Sequence, residues 1–345
     1  MIEDRRTPVE AEVDQLPRAL AELHLHLEGT LEPETIYALA ERNDIPLPYR
    51  DLADLRAQYE FADLSSFLDL YYANMTALRT GADFETMTWR YLERAQRAGV
   101  RHAEVFLDPQ AHTHRGLDVT EVLRGVQAAL QRAEAELDIS SGVIVCILRD
   151  RPVAEAMHTL DDCLAADVPV LGLGLDSAEV GYPPSLFAEV FAAAEQAGLR
   201  RVAHAGEEGP PDYIWQALDV LGVERIDHGV RSLEDSALVA RLVADRIPLT
   251  VCPLSNVRLK VIDQLADHPL RQMMDAGLLV TVNSDDPAYF GGYVDDNLQA
   301  CRSALGLTPA ELGTLARNSI VASFAGAERK QHLLADLAQS SPSAD

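Results

Sequence analysis

Short apolar runs recur along the chain and alternate with longer stretches whose apolar residues fall at helical spacing. The runs cover 22–27, 101–107, 142–148, 170–176, 200–205, 225–228, 249–252 and 279–284. Helical patterns occupy 121–137, 153–165, 186–197, 212–220, 236–243 and 268–276 between them. A run of four to eight apolar residues reads as a buried strand, and recurrence at i, i+3, i+4 reads as a helix with one buried face. Eight strands alternating with helices predict a closed parallel (β/α)8 TIM barrel, whose active site forms where the strands' C-terminal ends open into loops. An open doubly wound sheet is the competing architecture. No GxGxxG follows any of these strands, and Gly172-Leu173-Gly174 lies inside one.

More chain separates the first two runs than one crossover helix needs. Pro33 opens a helix that ends near Asn43, with Thr30 as its expected cap. The stretch 49–99 then keeps helical periodicity and reads as an additional helical lid inserted after the first strand. Residues 308–335 read as closing helices, a polar leader runs to about Arg18, and the 341–345 end reads as frayed. With no linker dividing residues 1–345, a single domain is expected.

The first strand carries the sharpest pattern, Glu22-Leu23-His24-Leu25-His26-Leu27-Glu28-Gly29. Successive strand side chains point to opposite faces, so His24 and His26 share one face while the three leucines share the other. Two imidazoles so placed make a metal pincer. Other costly polar residues also stand at strand ends: His204 on the fifth, His228 on the sixth, Asp285 and Asp286 on the eighth. On a barrel these positions converge on one mouth. Three neutral imidazoles, one carboxylate and a water suit a catalytic Zn²⁺ or a similar divalent ion, which brings the water's pKa to about 7. Glu207, three residues beyond His204, is placed to act as a general acid, and Glu208 reads as an exposed loop residue. His228 could hold the attacking water. If one of Asp285 and Asp286 faces the metal, the other points toward a substrate, and Pro287 favours an extended Asp286.

Composition narrows the partners. The formal net charge is −26 with only two lysines, Lys260 and Lys330, so no basic run exists to neutralise phosphates. Nucleic acids and anionic membranes are excluded as partners, and no apolar stretch approaches a membrane span. The four cysteines, Cys146, Cys163, Cys252 and Cys301, lack CxxC spacing and read as reduced. A cytoplasmic enzyme is expected, with nothing to set its oligomeric state.

At His24-Leu25-His26-Leu27-Glu28-Gly29, His204-Ala205-Gly206-Glu207, Asp227-His228-Gly229, Cys252-Pro253-Leu254-Ser255-Asn256 and Ser284-Asp285-Asp286-Pro287 the chain resembles the adenosine and adenine deaminase family of the amidohydrolase superfamily. The resemblance implies a (β/α)8 barrel. It also implies one zinc ion on His24, His26, His204 and Asp285, and Glu207 as proton donor to purine N1. His228 and Asp285 would orient and activate the hydroxide that attacks C6, and Asp286 would bond N7. Binuclear members bridge two metals with a carboxylated lysine on the fourth strand. No lysine lies in 170–176, which implies a mononuclear site.

Adenosine deaminases carry aspartate in HxHLDG to bind the sugar, where this chain has Glu28. They also carry a glycine in a fourth-strand loop motif, where alignment places Glu179. Two bulkier carboxylates would crowd a ribose and could accept from N9–H of a free base. Segments 30–34, 207–211 and 286–293 are similar to the adenine deaminase branch. The implied reaction is adenine to hypoxanthine and ammonia in purine salvage, with a purine base and water as the only partners. Adenosine deamination and removal of larger amines from N6-substituted adenines are the enzymatic alternatives. A metal-holding purine-binding protein without catalysis is the alternative of another class, against which Glu207 and His228 count. The tRNA and cytidine deaminases use HxE and PCxxC, and no PCxxC is present.

Overall fold

The computed structural model describes residues 16–59, 61 and 64–340; the leader before residue 16 and the 341–345 end lie outside the described residues. Its strands are β1 (Leu20–Glu22), β2 (Val100–Leu107), β3 (Ser140–Leu148), β4 (Gly172–Asp176), β5 (Arg200–Ala205), β6 (Arg225–His228), β7 (Pro248–Val251) and β8 (Leu279–Val282). They pair in parallel in chain order from β1 to β8. The sheet curls shut where Leu25 bridges Asp285: His26 N–H donates to Asp285 O at 3.0 Å, and Asp285 N–H donates to His24 O at 3.0 Å. This is the expected (β/α)8 barrel, because parallel neighbours require crossovers and helices fill them.

The first strand departs from expectation. Its ladder ends at Glu22, and the HxH segment continues only as isolated bridges. The cause is local: Asn283 Oδ1 accepts from Leu23 N–H at 3.0 Å and Arg225 Nη2 donates to Leu23 O at 3.1 Å, so side chains take the groups a neighbouring strand would use. The period-2 alternation survives, with Leu23, Leu25 and Leu27 fully buried.

Inside the barrel the side chains stack in layers. Low down, Arg225 Nη1 donates to Glu104 Oε2 at 2.5 Å, and the guanidinium lies 4.7 Å from the centre of the Phe324 ring. Above them Phe106, Ile144, Cys146 and Val202 form a buried apolar plug. The His24 and His26 rings rest on Phe106, each 5.1 Å from it centre to centre. The mouth is therefore floored by apolar packing.

Before β2 come α1 (Pro33–Arg42), α2 (Leu52–Gln58), α3 (Leu64–Met75) and α4 (Gly81–Arg97). The residue flanking α1 is Glu32, with no side-chain cap, and Thr30 Oγ1 instead donates to Leu27 O at 2.6 Å; Thr30 is not the cap. α4 packs along α6 (Val119–Leu137), which follows the short α5 (Pro109–Thr113), and so belongs to the barrel's outer ring. Within the 49–99 stretch it is α3 that reaches the mouth, through Phe67, Leu68, Tyr71 and Tyr72. Among the described residues no helix is long and apolar enough to cross a membrane, and all four cysteines are free and buried.

Candidate active site

Every polar residue singled out at a strand end except Glu208 is buried, and they meet at one mouth. His26 Nε2 and His204 Nε2 approach to 3.2 Å, and Asp285 Oδ1 lies 3.3 Å from His24 Nε2 and 3.4 Å from His26 Nε2. Metal–ligand bonds of about 2.0–2.1 Å place neighbouring ligand atoms about 3 Å apart, so these contacts already stand at coordination spacing. The donor set of three imidazoles and one carboxylate fits such an ion. Cys252 also borders the cluster, and burial pushes its thiol far above the usual range.

Further contacts fix the rings. His24 Nδ1 lies 2.9 Å from Thr250 Oγ1, which donates to Asp227 Oδ1 at 2.8 Å. His26 Nδ1 faces Asp176 Oδ2 at 3.6 Å, and His204 Nδ1 faces Asp227 Oδ2 at 3.7 Å. Each imidazole thus turns its other nitrogen inward, as carboxylate-backed metal ligands do. Burial drives His26 down to about 4 and His204 well below the usual range. Burial also opposes charge on His24, but Asp285 and then Asp227 together outweigh it and hold that pKa up. A cation beside Asp285 would take the place of that proton.

Three residues at the mouth adopt left-handed backbone without being glycine: Ser177 at φ 69°, His228 at φ 63° and Asp285 at φ 62°. Such residues are uncommon and store strain. Here each breaks the period-2 alternation at a strand's end, so that Asp227 with His228 and Asp285 with Asp286 can both serve the mouth. Gly29 is forced by the same crowding. A Cβ there would stand 2.1 Å from Asp286 Oδ1 and 2.6 Å from Asp286 Cα.

Glu207 Oε2 lies 3.5 Å from His228 Nε2, whose pKa burial depresses to about 3, so the imidazole is neutral. Burial first, then Asp285, holds Glu207 far above the usual carboxyl range and keeps its proton on. Asn256 Nδ2 donates to Glu207 Oε1 at 3.4 Å. The Asn256 carbonyl faces His268 Nε2 at 3.2 Å, while Leu270 N–H donates to His268 Nδ1 at 3.1 Å. That chain fixes the His268 tautomer and hence which end of Asn256 meets Glu207. Asp286 is likewise raised by burial and by Asp285, with its Oδ1 unpartnered.

Glu28 and Glu179 are placed differently from expectation. The Glu179 carboxylate accepts from the N–H groups of Gly206, Glu207, Glu208 and Gly209 at 2.6, 3.1, 2.9 and 2.8 Å. Its acceptor capacity is spent on holding the loop that carries Glu207. Glu28 Oε1 accepts from Asp108 N–H at 3.1 Å and from His112 Nε2 at 2.7 Å. Neither glutamate lines the cavity, whose walls include Phe67, Tyr71, Asp108, Leu148, Asp176, Ser177 and Phe290. Sequence reasoning missed Asp108, Asp176, Thr250 and the anchoring role of Asn256. The spacing Asp227-His228 and the segment ending at Asn256 were the only local signals, since these contacts join strands distant in sequence.

The sequence profile of the adenosine deaminase family matches residues 19–340. An adenine deaminase of Streptomyces coelicolor is 60% identical over 309 residues, covering 90% of this chain and 91% of its own. The crystal structure of adenine deaminase from Arthrobacter aurescens superposes with a TM-score of 0.92 at 57% identity, covering 94% of this chain and 98% of that one. An amidohydrolase from Burkholderia ambifaria with bound Zn matches at TM-score 0.88 and 29% identity, covering 98% of this chain and 94% of its own. The chain belongs to the adenosine deaminase family, within the amidohydrolase superfamily.

Proposed function

We infer that this enzyme deaminates adenine hydrolytically to hypoxanthine and ammonia, with His24, His26, His204 and Asp285 as metal ligands and Glu207, His228 and Asp286 working on the base. Relatives at 53–60% identity named adenine deaminase support the substrate. The observation that carries the mechanism is the buried Glu207 carboxyl 3.5 Å from His228, beside the four-ligand cluster. A divalent ion on that cluster, zinc by its donor set, would supply the Lewis acidity that brings water's pKa to about 7.

The protein's own groups account for the rest. Glu207 donates to N1, which lowers the electron density at C6 as the nucleophile arrives and so acts in the transition state. Neutral His228 accepts a hydrogen bond from the attacking water and orients it, with Asp285 Oδ2 3.9 Å away. Protonated Asp286 donates to N7. The aromatic residues of α3 with Phe290 cover the ring plane and exclude bulk water. We read α3 as the lid of a single-domain barrel, and four reduced cysteines fit a cytoplasmic setting.

The test is kcat/KM for ammonia release from adenine, adenosine and an N6-alkyl adenine with metal-replete protein. Adenine is expected to exceed adenosine by on the order of 10⁴-fold, as for a site built to satisfy a donor that the analogue lacks. Adenosine turnover equal to or above that of adenine would sink the substrate assignment and leave the metal chemistry standing.

A further inference from the structure

The base has a second edge that Glu207 and Asp286 do not reach. Around the mouth the strands follow in the order β8, β1, β2, β3, β4, β5. With N7 at Asp286 beyond β8 and N1 at Glu207 beyond β5, C6 lies between them on the β6 side, beside His228. The rest of the purine perimeter, read from N7, is C8, N9, C4, N3 and C2 before N1. N9 therefore faces the arc just past β1, and N3 faces the arc just before β5.

On the first of these arcs Glu28 Oε1 is engaged and its Oε2, though unpartnered, does not line the cavity, so the next polar group that does is Asp108 at the end of β2. Asp108 is 2% exposed, lines the cavity, and has its Oδ1 buried with no hydrogen-bond partner. Its backbone is clamped from below by the Glu28 carboxylate. His112 completes that clamp: Arg115 Nη2, only a donor, approaches His112 Nδ1 at 2.7 Å, so the ring's Nε2–H is the one given to Glu28. The main chain is thus fixed in place, the raised Asp108 carboxyl gives its proton to Asp176, and Oδ1 is left as an acceptor without a donor.

We propose that Asp108 is the specificity-determining residue that accepts the N9–H of the free base, and that Glu28 acts only by positioning it. This rests on adenine as the substrate. A purine substituted at N9 brings no proton to Asp108 Oδ1 and puts a carbon against it, so nucleosides are rejected by an unpaired acceptor as well as by crowding. The longer glutamate in His24-Leu25-His26-Leu27-Glu28-Gly29 then matters because it reaches the Asp108 main chain.

The experiment compares adenine with 9-methyladenine in the zinc-loaded wild type, Asp108→Ala and Asp108→Asn. In the wild type, adenine is expected to lead by at least 10²-fold in kcat/KM. Asp108→Ala should lower adenine turnover about 10²-fold while leaving 9-methyladenine unchanged or improved, so the preference collapses. Asp108→Asn retains a carbonyl acceptor and should keep part of it. A preference in Asp108→Ala within threefold of wild type overturns the proposal. So does a wild-type preference below tenfold, which needs no variant to fold. His26, Asp108 and Asp176 also stand close enough to hold a cation. A second equivalent of zinc bound by the wild type and lost in Asp108→Ala would show a metal site there instead. Absence of adenine turnover in the wild type would sink the underlying substrate reading and this proposal with it.

Discussion

Glu104 and Glu207 are both acids buried inside one barrel, at opposite ends of its interior. Glu104 lies low, with Arg225 Nη1 at 2.5 Å and His102 Nε2 at 3.0 Å, and Phe324 N–H donating to its Oε1. Burial raises its pKa, but the Arg225 charge and then His102 outweigh burial and hold it at about 2. Glu207 lies at the mouth among Asp285, Glu179 and Glu208, and its pKa goes far the other way. Equal burial gives opposite protonation because only the lower acid has a cation paired with it. The charge-balanced end of the interior serves stability. The mouth gathers Asp108, Asp286 and Glu207, all held above the usual range with burial as the first cause, where a metal ion and a hydrogen-bonding base can satisfy them.

The two ends should fail differently when cut. Glu207→Gln keeps shape and burial but cannot pass a proton, so kcat for adenine is expected to fall by about 10²–10⁴-fold with metal content and melting temperature near wild type. A variant retaining full turnover would break the contrast at the mouth. Glu104→Gln should do the reverse, costing about 3–5 kcal/mol of stability by leaving Arg225 buried without its partner, while folded molecules keep their kcat. Its pH dependence has a definite sign. A depressed carboxyl stabilises the fold above its ordinary pKa near 4.5, and that contribution is lost as pH falls toward about 2. Wild type should therefore lose stability faster than Glu104→Gln on acidification from pH 5 to 3, as read by urea midpoints.

Much of this contrast could be read from the chain. Short apolar runs alternating with helical patterns located the eight strands, and polar residues at the ends of those runs marked the mouth, because burying His204 or Asp285 makes sense only at a shared site. The break after Glu22 was not legible, since Asn283 and Arg225 stand 260 and 202 residues from Leu23 in sequence and only the closed barrel brings them to it. Nor were the left-handed turns at Ser177, His228 and Asp285, which carry no glycine to announce them. Glu179 shows the limit most clearly. Its position in the chain matched a substrate-facing loop, whereas its carboxylate gathers four backbone N–H groups that only the fold brings together. Asp108 stayed hidden because an Asp-Pro after an apolar run reads as an ordinary helix start.

The smallest expected effect tests how finely the mouth is tuned. Asn256 gives Glu207 a side-chain hydrogen bond, at 3.4 Å, and donation from an amide N–H favours the ionised carboxylate, so it lowers the Glu207 pKa. Removing it in Asn256→Ala leaves burial and Asp285 less opposed, and the pKa rises further. Glu207 must be protonated to donate to N1, so the protonated fraction should persist to higher pH. The alkaline limb of the kcat profile is then expected to move upward, with kcat at neutral pH reduced only several-fold by looser positioning of the donor. A limb that moves to lower pH would mean that Asn256 turns its carbonyl toward Glu207, and His268 would then have to carry its proton on Nδ1, against the donation it receives from Leu270 N–H.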